Sequence, residues 1–246
     1  MGIMFNKHDF KFRSKEAEIM DDFDLQGEEL TRTLQDLENI NTWLGGNKIT
    51  IEGIKFLLKD LDKDKKYSIA DVGCGNGSVL REIMHWGKRN GYQFEVMGID
   101  ANPHAIAIAR ELSKNEEQIS FRELNILGEE FKNLKFDIIL CTLTLHHFDD
   151  QKIIQILISF IQNSKIGVVV NDLHRNKAAY ELFKLFCGVF VKNKIARKDG
   201  LISIKRGFKK EDLNKYSAQL KKVKHTIHWK WAFRYQWIMK KKKMNG

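Results

Sequence analysis

Between Asp71 and Gly77 the chain reads Asp-Val-Gly-Cys-Gly-Asn-Gly, immediately after a short apolar run and immediately before a helical pattern. A glycine turn between the carboxyl end of a strand and the start of a helix lets the backbone approach a ligand where any Cβ would collide. An acid at Asp100 closes the next apolar run, the position from which a carboxylate grips ribose hydroxyls. Two nucleotide readings compete here. Dinucleotide turns run G-x-G-x-x-G, whereas these glycines run G-x-G-x-G and are preceded on the strand by Asp71. A cofactor that carries an ammonium and a sulfonium, and no pyrophosphate, has a use for that carboxylate. Asp71 is therefore expected to partner a cationic amino-acid end, directly or through water, while Asp100 holds the ribose.

From Tyr67 onward short apolar runs alternate with helical patterns, which is the signature of βαβ units and a parallel sheet. Strands are expected at 67–72, 94–99, 119–122, 136–141, 166–170, 223–228 and 232–239, with helices at 77–90, 103–113 and 150–163. Upstream, Leu30, Leu34, Leu37 and Ile40 recur at helical spacing before the stop at Gly45-Gly46, and a second helix is expected from Thr50 to Leu61. The stretch 172–222 is too long for a simple crossover and carries the apolar helix AAYELFKLFCGVFV, read either as a buried helix or as a lid over an acceptor pocket. One domain over 1–246 follows: a helical annex at 1–65, a cofactor-binding core at 66–171, a lid insertion at 172–222 and C-terminal strands at 223–240.

The 246 residues can bury one sizeable core without metal or disulfides. Cys74, Cys141 and Cys187 are odd in number, far apart and free of metal-ligand spacing, so reduced thiols and a cytoplasmic location are expected. The opening MGIMFNKHDFKF alternates charge with apolar residues too closely for a signal peptide, and no run reaches membrane-spanning length. Peripheral membrane contact stays open. A net charge of +10 suggests nucleic acid, yet 32 Lys stand against 10 Arg, and phosphate and base readers lean on Arg. The run Lys240 to Lys243 reads as a solvated tail.

The segments DVGCGNG, GIDANPHAIAIAR, RELNIL and FDIILCTLTLHHF together resemble the class I S-adenosylmethionine-dependent methyltransferases, on the small-molecule branch similar to ubiquinone/menaquinone-type enzymes. The resemblance covers about 66–172 and implies an α/β Rossmann-like fold, a seven-stranded mostly parallel sheet flanked by helices. It implies S-adenosyl-L-methionine as cofactor and S-adenosyl-L-homocysteine as product. By position, Asp71, Gly73, Cys74, Gly75, Asn76 and Gly77 correspond to the methionine-binding loop, Asp100 to the ribose acid, and Ala101 and Asn102 to the segment beside the adenine. Asn125, with Ile126 next to it, stands where the family has an Asp that bonds the adenine amine; an amide oxygen also accepts that bond. Thr142 closes the cofactor set. The flanks EIMDD, INTWLGG, NDLHR, SIKRGF and WAFRY resemble bacterial methyltransferases associated with phenolic-lipid and polyketide pathways.

Ligands of open α/β sheets bind beyond the carboxyl ends of the strands, which points to Thr142, Thr144, His146 and His147, then Asn171, Asp172, His174 and Arg175. A phenolic acceptor benefits from a neutral imidazole base. His174, beside Asp172, is the first choice, followed by His147 and His146; for each, a packed structural histidine is as good an account. Dense aromatics from Tyr180 to Phe190 favour a lipophilic, aromatic or phenolic acceptor, with O-methylation ahead of C-methylation. No metal is expected, because Asp149, Asp150 and Asp172 do not form a ligand cluster. The alternatives are an RNA or nucleic-acid methyltransferase, disfavoured because Pro103 is the only proline and the proline-containing base-methylation motifs are missing, and a non-catalytic cofactor-binding protein. The acceptor's identity and the oligomeric state are not fixed by the sequence.

Overall fold

A computed structural model describes residues 10–22 and 24–242. Most of the amino-terminal stretch weighed above as a signal peptide, and Lys243, lie outside these residues. Strands β1 (Lys66–Val72), β2 (Gln93–Asp100), β3 (Ile119–Glu123), β4 (Phe136–Thr142), β5 (Ser164–Leu173), β6 (Val223–Lys230) and β7 (Arg234–Lys241) form one sheet in the order β3-β2-β1-β4-β5-β7-β6. The first five are parallel, and β7 runs antiparallel between β5 and β6. The sheet reverses its winding at β1 and β4, so the carboxyl ends of these strands open a crevice for a ligand.

Alternation along the strands gives the sheet two apolar faces. Ile69, Ile138, Leu140, Val169 and Ile238 meet α2 (Gly46–Leu58) and α3 (Ser78–Asn90) on one face. Ala70, Val72, Ile139, Cys141, Val168 and Val170 meet α6 (Asp150–Asn163) and α9 (Lys210–Ser217) on the other. Helix α4 (Pro103–Leu112) packs on β2 and β3, and its N-terminus is capped by the Asn102 carboxamide, which accepts from the backbone of His104 and Ala105. A short α5 (Glu129–Lys132) precedes β4.

Three boundaries differ from the sequence reading. Helix α1 (Gly27–Trp43) ends as expected, but α2 starts at Gly46 rather than Thr50: Gly45 alone takes the left-handed turn, at φ +71°, and caps the next helix directly. The stretch after β5 holds three helices, α7 (Lys177–Phe190), α8 (Lys194–Arg206) and α9, where one had been apparent. Helix α8 was hidden because KIARKDGLISIKR is mostly polar in sequence, its buried Asp199 and Arg206 being satisfied by partners far along the chain. Lys240 and Lys241 belong to β7 and pair with β6, so the basic run is not a free tail there.

Residues 10–21 cross the lid as a strap. Arg175, almost wholly buried, donates to the carbonyls of Phe10, Lys11 and Gly207 and to Asp212. Arg13 donates to the carbonyls of Arg206, His146 and Phe148 and to Asp150. Asp199 then accepts from the backbone of Ile19 and Met20, each at 2.9 Å, fixing a single 3-10 turn at Ile19–Asp21.

Helix α2 comes close to the sheet because Gly53 faces Val169; a Cβ at residue 53 would lie 2.5 Å from Val169 Cγ1. Gly53→Ala should therefore destabilise the protein by about 1–3 kcal/mol, despite alanine's better helix propensity, in a denaturant titration. Combining it with Val169→Ala should cost less than the sum of the two single changes.

Candidate active site

A cavity of about 1060 Å³ opens above the carboxyl ends of β1, β2, β4 and β5. Its floor begins at the glycine loop, where Gly73, Gly75 and Gly77 all have positive φ. At Gly73 a Cβ would stand 2.2 Å from Thr144 Oγ1, so only glycine lets the loop pass beneath the turn that follows β4. The Gly75 amide donates to Asp100 Oδ2 and the Asn102 amide to Asp100 Oδ1, each at 3.0 Å, so Asp100 is oriented by the loop and the α4 turn together.

Of the residues expected at the cofactor, Gly73, Cys74, Gly75, Asn76, Asp100, Ala101, Asn102, Asn125, Ile126 and Thr142 line this cavity. Asp71 and Gly77 do not. Asp71 is fully buried behind the loop, its Oδ1 without a partner among the described residues, and burial with the nearby Asp100 carboxylate pushes it up to about 8. Asn125 Oδ1 already accepts from the Leu127 amide at 3.0 Å, and Thr142 Oγ1 sits 3.0 Å from Thr50 Oγ1 of α2. Helix α1 closes the loop from above: Asn76 donates to Glu38 Oε2 at 2.7 Å, and Arg81 approaches Glu38 Oε1.

At the end of β4, Leu143 takes a left-handed backbone, φ 53°, and the next turn carries His146 and His147 into the cavity. His146 is buried. Its Nδ1 lies 2.7 Å from Asp172 Oδ1, and its Nε2 faces Glu18 Oε1 at 3.5 Å. Burial alone would lower its affinity for a proton, but the two carboxylates override this and raise it to about 9. Asp172 and Glu18, although burial works against their charge, are held below the usual carboxylate range by the same imidazolium. His147 is more open, with Nδ1 2.6 Å from Asp21 Oδ1. Asp21 is strongly depressed: burial is outweighed by His147 and by Arg206, which donates to Asp21 Oδ2 at 2.6 Å.

Asp172 therefore engages His146 and not His174. His174 lies past the end of β5, outside the cavity lining, where Nδ1 accepts from Trp229 Nε1 at 3.2 Å and the ring meets Tyr235 edge-on. Burial, with Arg175 and Lys209 nearby, lowers its proton affinity. Glu18, His146 and His147 bring one ligand atom each within 4.8 Å of one another. Arg206 Nη1, 3.6 Å from Glu18 Oε1, already supplies positive charge there, so the cluster is an ion-pair network. The functional side chains missed from sequence are Glu18, Asp21, Glu38, Asn41, Arg206 and Arg234. Five of the six stand in or beside the flanking segments EIMDD, INTWLGG, SIKRGF and WAFRY, whose polar residues in apolar surroundings were the available signal.

The roof is apolar. Helix α7 turns Leu182, Phe183 and Phe186 to the cavity and leaves Leu185, Val189 and Phe190 exposed, so it is not a buried helix.

A reversed-winding sheet with a glycine loop, a strand-end acid and a roofed cavity is the architecture shared by α/β proteins of the nucleotide-cofactor class. The chain belongs to the methyltransferase domain family, whose sequence profile matches residues 63–242. An uncharacterized methyltransferase of Schizosaccharomyces pombe is 30% identical over 92 residues, which cover 37% of this chain and 33% of that protein, so the chain matches about a third of its relative's length. Among solved structures, the plantazolicin methyltransferase in complex with S-adenosylhomocysteine has a TM-score of 0.66 at 15% identity, covering 86% of this chain and 90% of that one. The magnesium protoporphyrin IX methyltransferase of Synechocystis with bound S-adenosylmethionine has a TM-score of 0.55 at 12% identity, covering 83% and 84%. At such identities the likeness is one of fold. Among the described residues, no helix is long and apolar enough to cross a membrane.

The charge states make stability pH-dependent. His146, raised from 6.5 to about 9, stabilises the fold fully below pH 6.5 and loses that contribution as pH rises through 9. Asp71, raised from 3.8 to about 8, adds a loss in the same direction that is complete above 8. The thermal midpoint of ligand-free protein should fall between pH 6.5 and 9, and Asp71→Asn should flatten that decline in a scanning-fluorimetry series.

Proposed function

We propose that this protein transfers a methyl group from S-adenosylmethionine to a small apolar acceptor, with His147 as general base. The observation that carries the reading is the continuity of one cavity from the glycine loop and Asp100, past the His147–Asp21 pair, to the apolar underside of α7. The residues fit the cofactor: the glycine loop forms part of the cavity wall, Asp100 presents a carboxylate at the end of β2, and Asp71 leaves a buried carboxyl oxygen unpaired beneath. When bound, this cofactor supplies an electrophilic methyl group on a cationic sulfur.

The chain's own part is to align, dry and deprotonate. Asp21 accepts from His147 Nδ1, which directs the lone pair of Nε2 outward as a proton acceptor, and Arg206 locks Asp21 in its ionised form. His146, protonated between Asp172 and Glu18 at neutral pH, is a positioning residue. Leu182, Phe183 and Phe186 exclude water from the reacting pair, which strengthens each charge interaction there. A phenol, with a pKa of about 10, is the acceptor type such a base suits, so O-methylation of a lipophilic phenolic compound is the favoured reaction. A single functional unit comprising annex, core and lid is part of this reading, as residues of all three line the cavity. The apolar roof disfavours a nucleic-acid acceptor.

His147→Asn should lower turnover on long-chain alkylphenols by about 10²–10⁴-fold, with affinity for S-adenosylhomocysteine unchanged in calorimetry. His174→Ala should leave turnover close to wild type. Full turnover by the His147 variant sinks the base assignment, and absence of cofactor affinity in the unmodified protein sinks the methyl-transfer reading itself.

A further inference from the structure

Three buried arginines differ in one respect. Arg175 is saturated by three carbonyls and Asp212, and Arg206 by the carbonyls of Glu16, His146 and His147 together with Asp21. Arg234, the first residue of β7, is 2% exposed and lines the cavity, yet its Nε and Nη1 find no acceptor among the described residues. An arginine this buried with two donors unmet is costly, and an anion in the cavity beside it would meet them. Its one acidic neighbour does not serve. Asp172 gives Oδ1 to His146 and to the Leu173 amide, and Oδ2 to the His146 amide. Burial lowers the guanidinium to about 10, partly offset by Asp172, which still leaves it charged at neutral pH.

We propose that Arg234 receives the acidic group of the methyl acceptor, so that the acceptor is an apolar acid with its carboxylate at the cavity floor and its hydrocarbon body under α7. This rests on the methyl-transfer reading above and narrows its substrate class.

The local build suits a carboxylate. A Cβ at Gly46 would stand 1.8 Å from Asn41 Oδ1 and 2.7 Å from Nη1, so the glycine that opens α2 makes room for the guanidinium and for the Asn41 carboxamide, whose Oδ1 has no hydrogen-bond partner among the described residues. The anion is then shared between the guanidinium fork and the positive end of a helix of 13 residues. Leu37, Leu44, Leu182, Phe183 and Phe186 supply apolar walls in the same cavity. The methyl donor also has a carboxylate, but the glycine loop follows β1, and β7 is three places away in the order β1-β4-β5-β7, a lateral offset of about 14 Å. That distance favours the acceptor as the source of the anion.

The test compares binding of decanoate and 1-decanol to the full chain at pH 7.5 without cofactor, followed by Trp fluorescence, and binding of S-adenosylhomocysteine by calorimetry. Decanoate should bind at least about tenfold more tightly than the alcohol, the ordinary worth of one charge-assisted contact. Arg234→Met should abolish that preference, leave homocysteine-product affinity within about twofold and keep or raise the thermal midpoint, because an unpaired buried charge is removed. Arg234→Lys should retain part of the preference. Equal affinity of the unmodified protein for acid and alcohol overturns the proposal without any variant. So does an Arg234→Met variant whose loss falls on the adenosyl ligand, which would assign the guanidinium to the methyl donor's carboxylate. A midpoint lowered by several degrees without ligand would make Arg234 a structural residue and overturn it as well. Failure of the methyl-transfer reading is a separate result, seen as no adenosyl-ligand binding by the unmodified protein.

Discussion

The buried imidazolium of His146, set between Asp172 and Glu18, is the interaction on which the histidine side of the cavity depends. Asp172 belongs to the sheet, His146 to the turn after β4, and Glu18 to a strap from the far amino-terminal side of the chain. Each carboxylate is too deeply buried to keep its charge alone, and the shared cation lets both stay ionised. One proton thereby ties the strap to β5 and to the turn after β4, which the sheet already pairs through Thr142 and Asn171. Arg206 extends the network by gripping the backbone of both histidines and Asp21, so His147 is delivered to the cavity with little freedom of its own.

The cofactor half was legible from sequence because its requirements are local. A strand, a glycine turn and a helix are adjacent in the chain, and Asp100 closes the neighbouring strand, so short-range patterning specifies the geometry. All seven strands lie within a few residues of where period and turn residues put them. Asp71 shows the limit of that logic. Its place in the motif was clear, but whether its carboxylate faces a ligand or the protein interior depends on strand register, which puts it opposite Gly98 and Leu140 and behind the loop.

The acceptor half was only partly legible, since its groups come from segments that are distant in sequence. His147 and Asp21 are 126 residues apart, and no spacing rule connects them. Proximity along the chain suggested Asp172 with His174, whereas the fold gives Asp172 to His146 and leaves His174 to Trp229. Helix α8 reads as polar because two of its charged residues, Asp199 and Arg206, are buried against the strap, while Lys194, Arg197 and Lys198 face outward. In sequence Arg234 is one basic residue among many; its burial, with Nε and Nη1 unbonded among the described residues, is set by the fold.

The strap sets how much of the chain borders the cavity. The family profile begins at residue 63, yet Glu18, Asp21, Glu38 and Asn41 all precede it and all border the cavity. A fragment cut to the profile's limits would lose α2, whose Ile54, Leu57 and Leu58 cover one face of the sheet, together with Glu18, which faces His146, and Asp21, which holds His147. In this chain the family match and the cavity have different borders, and the strap and α1 belong to the second.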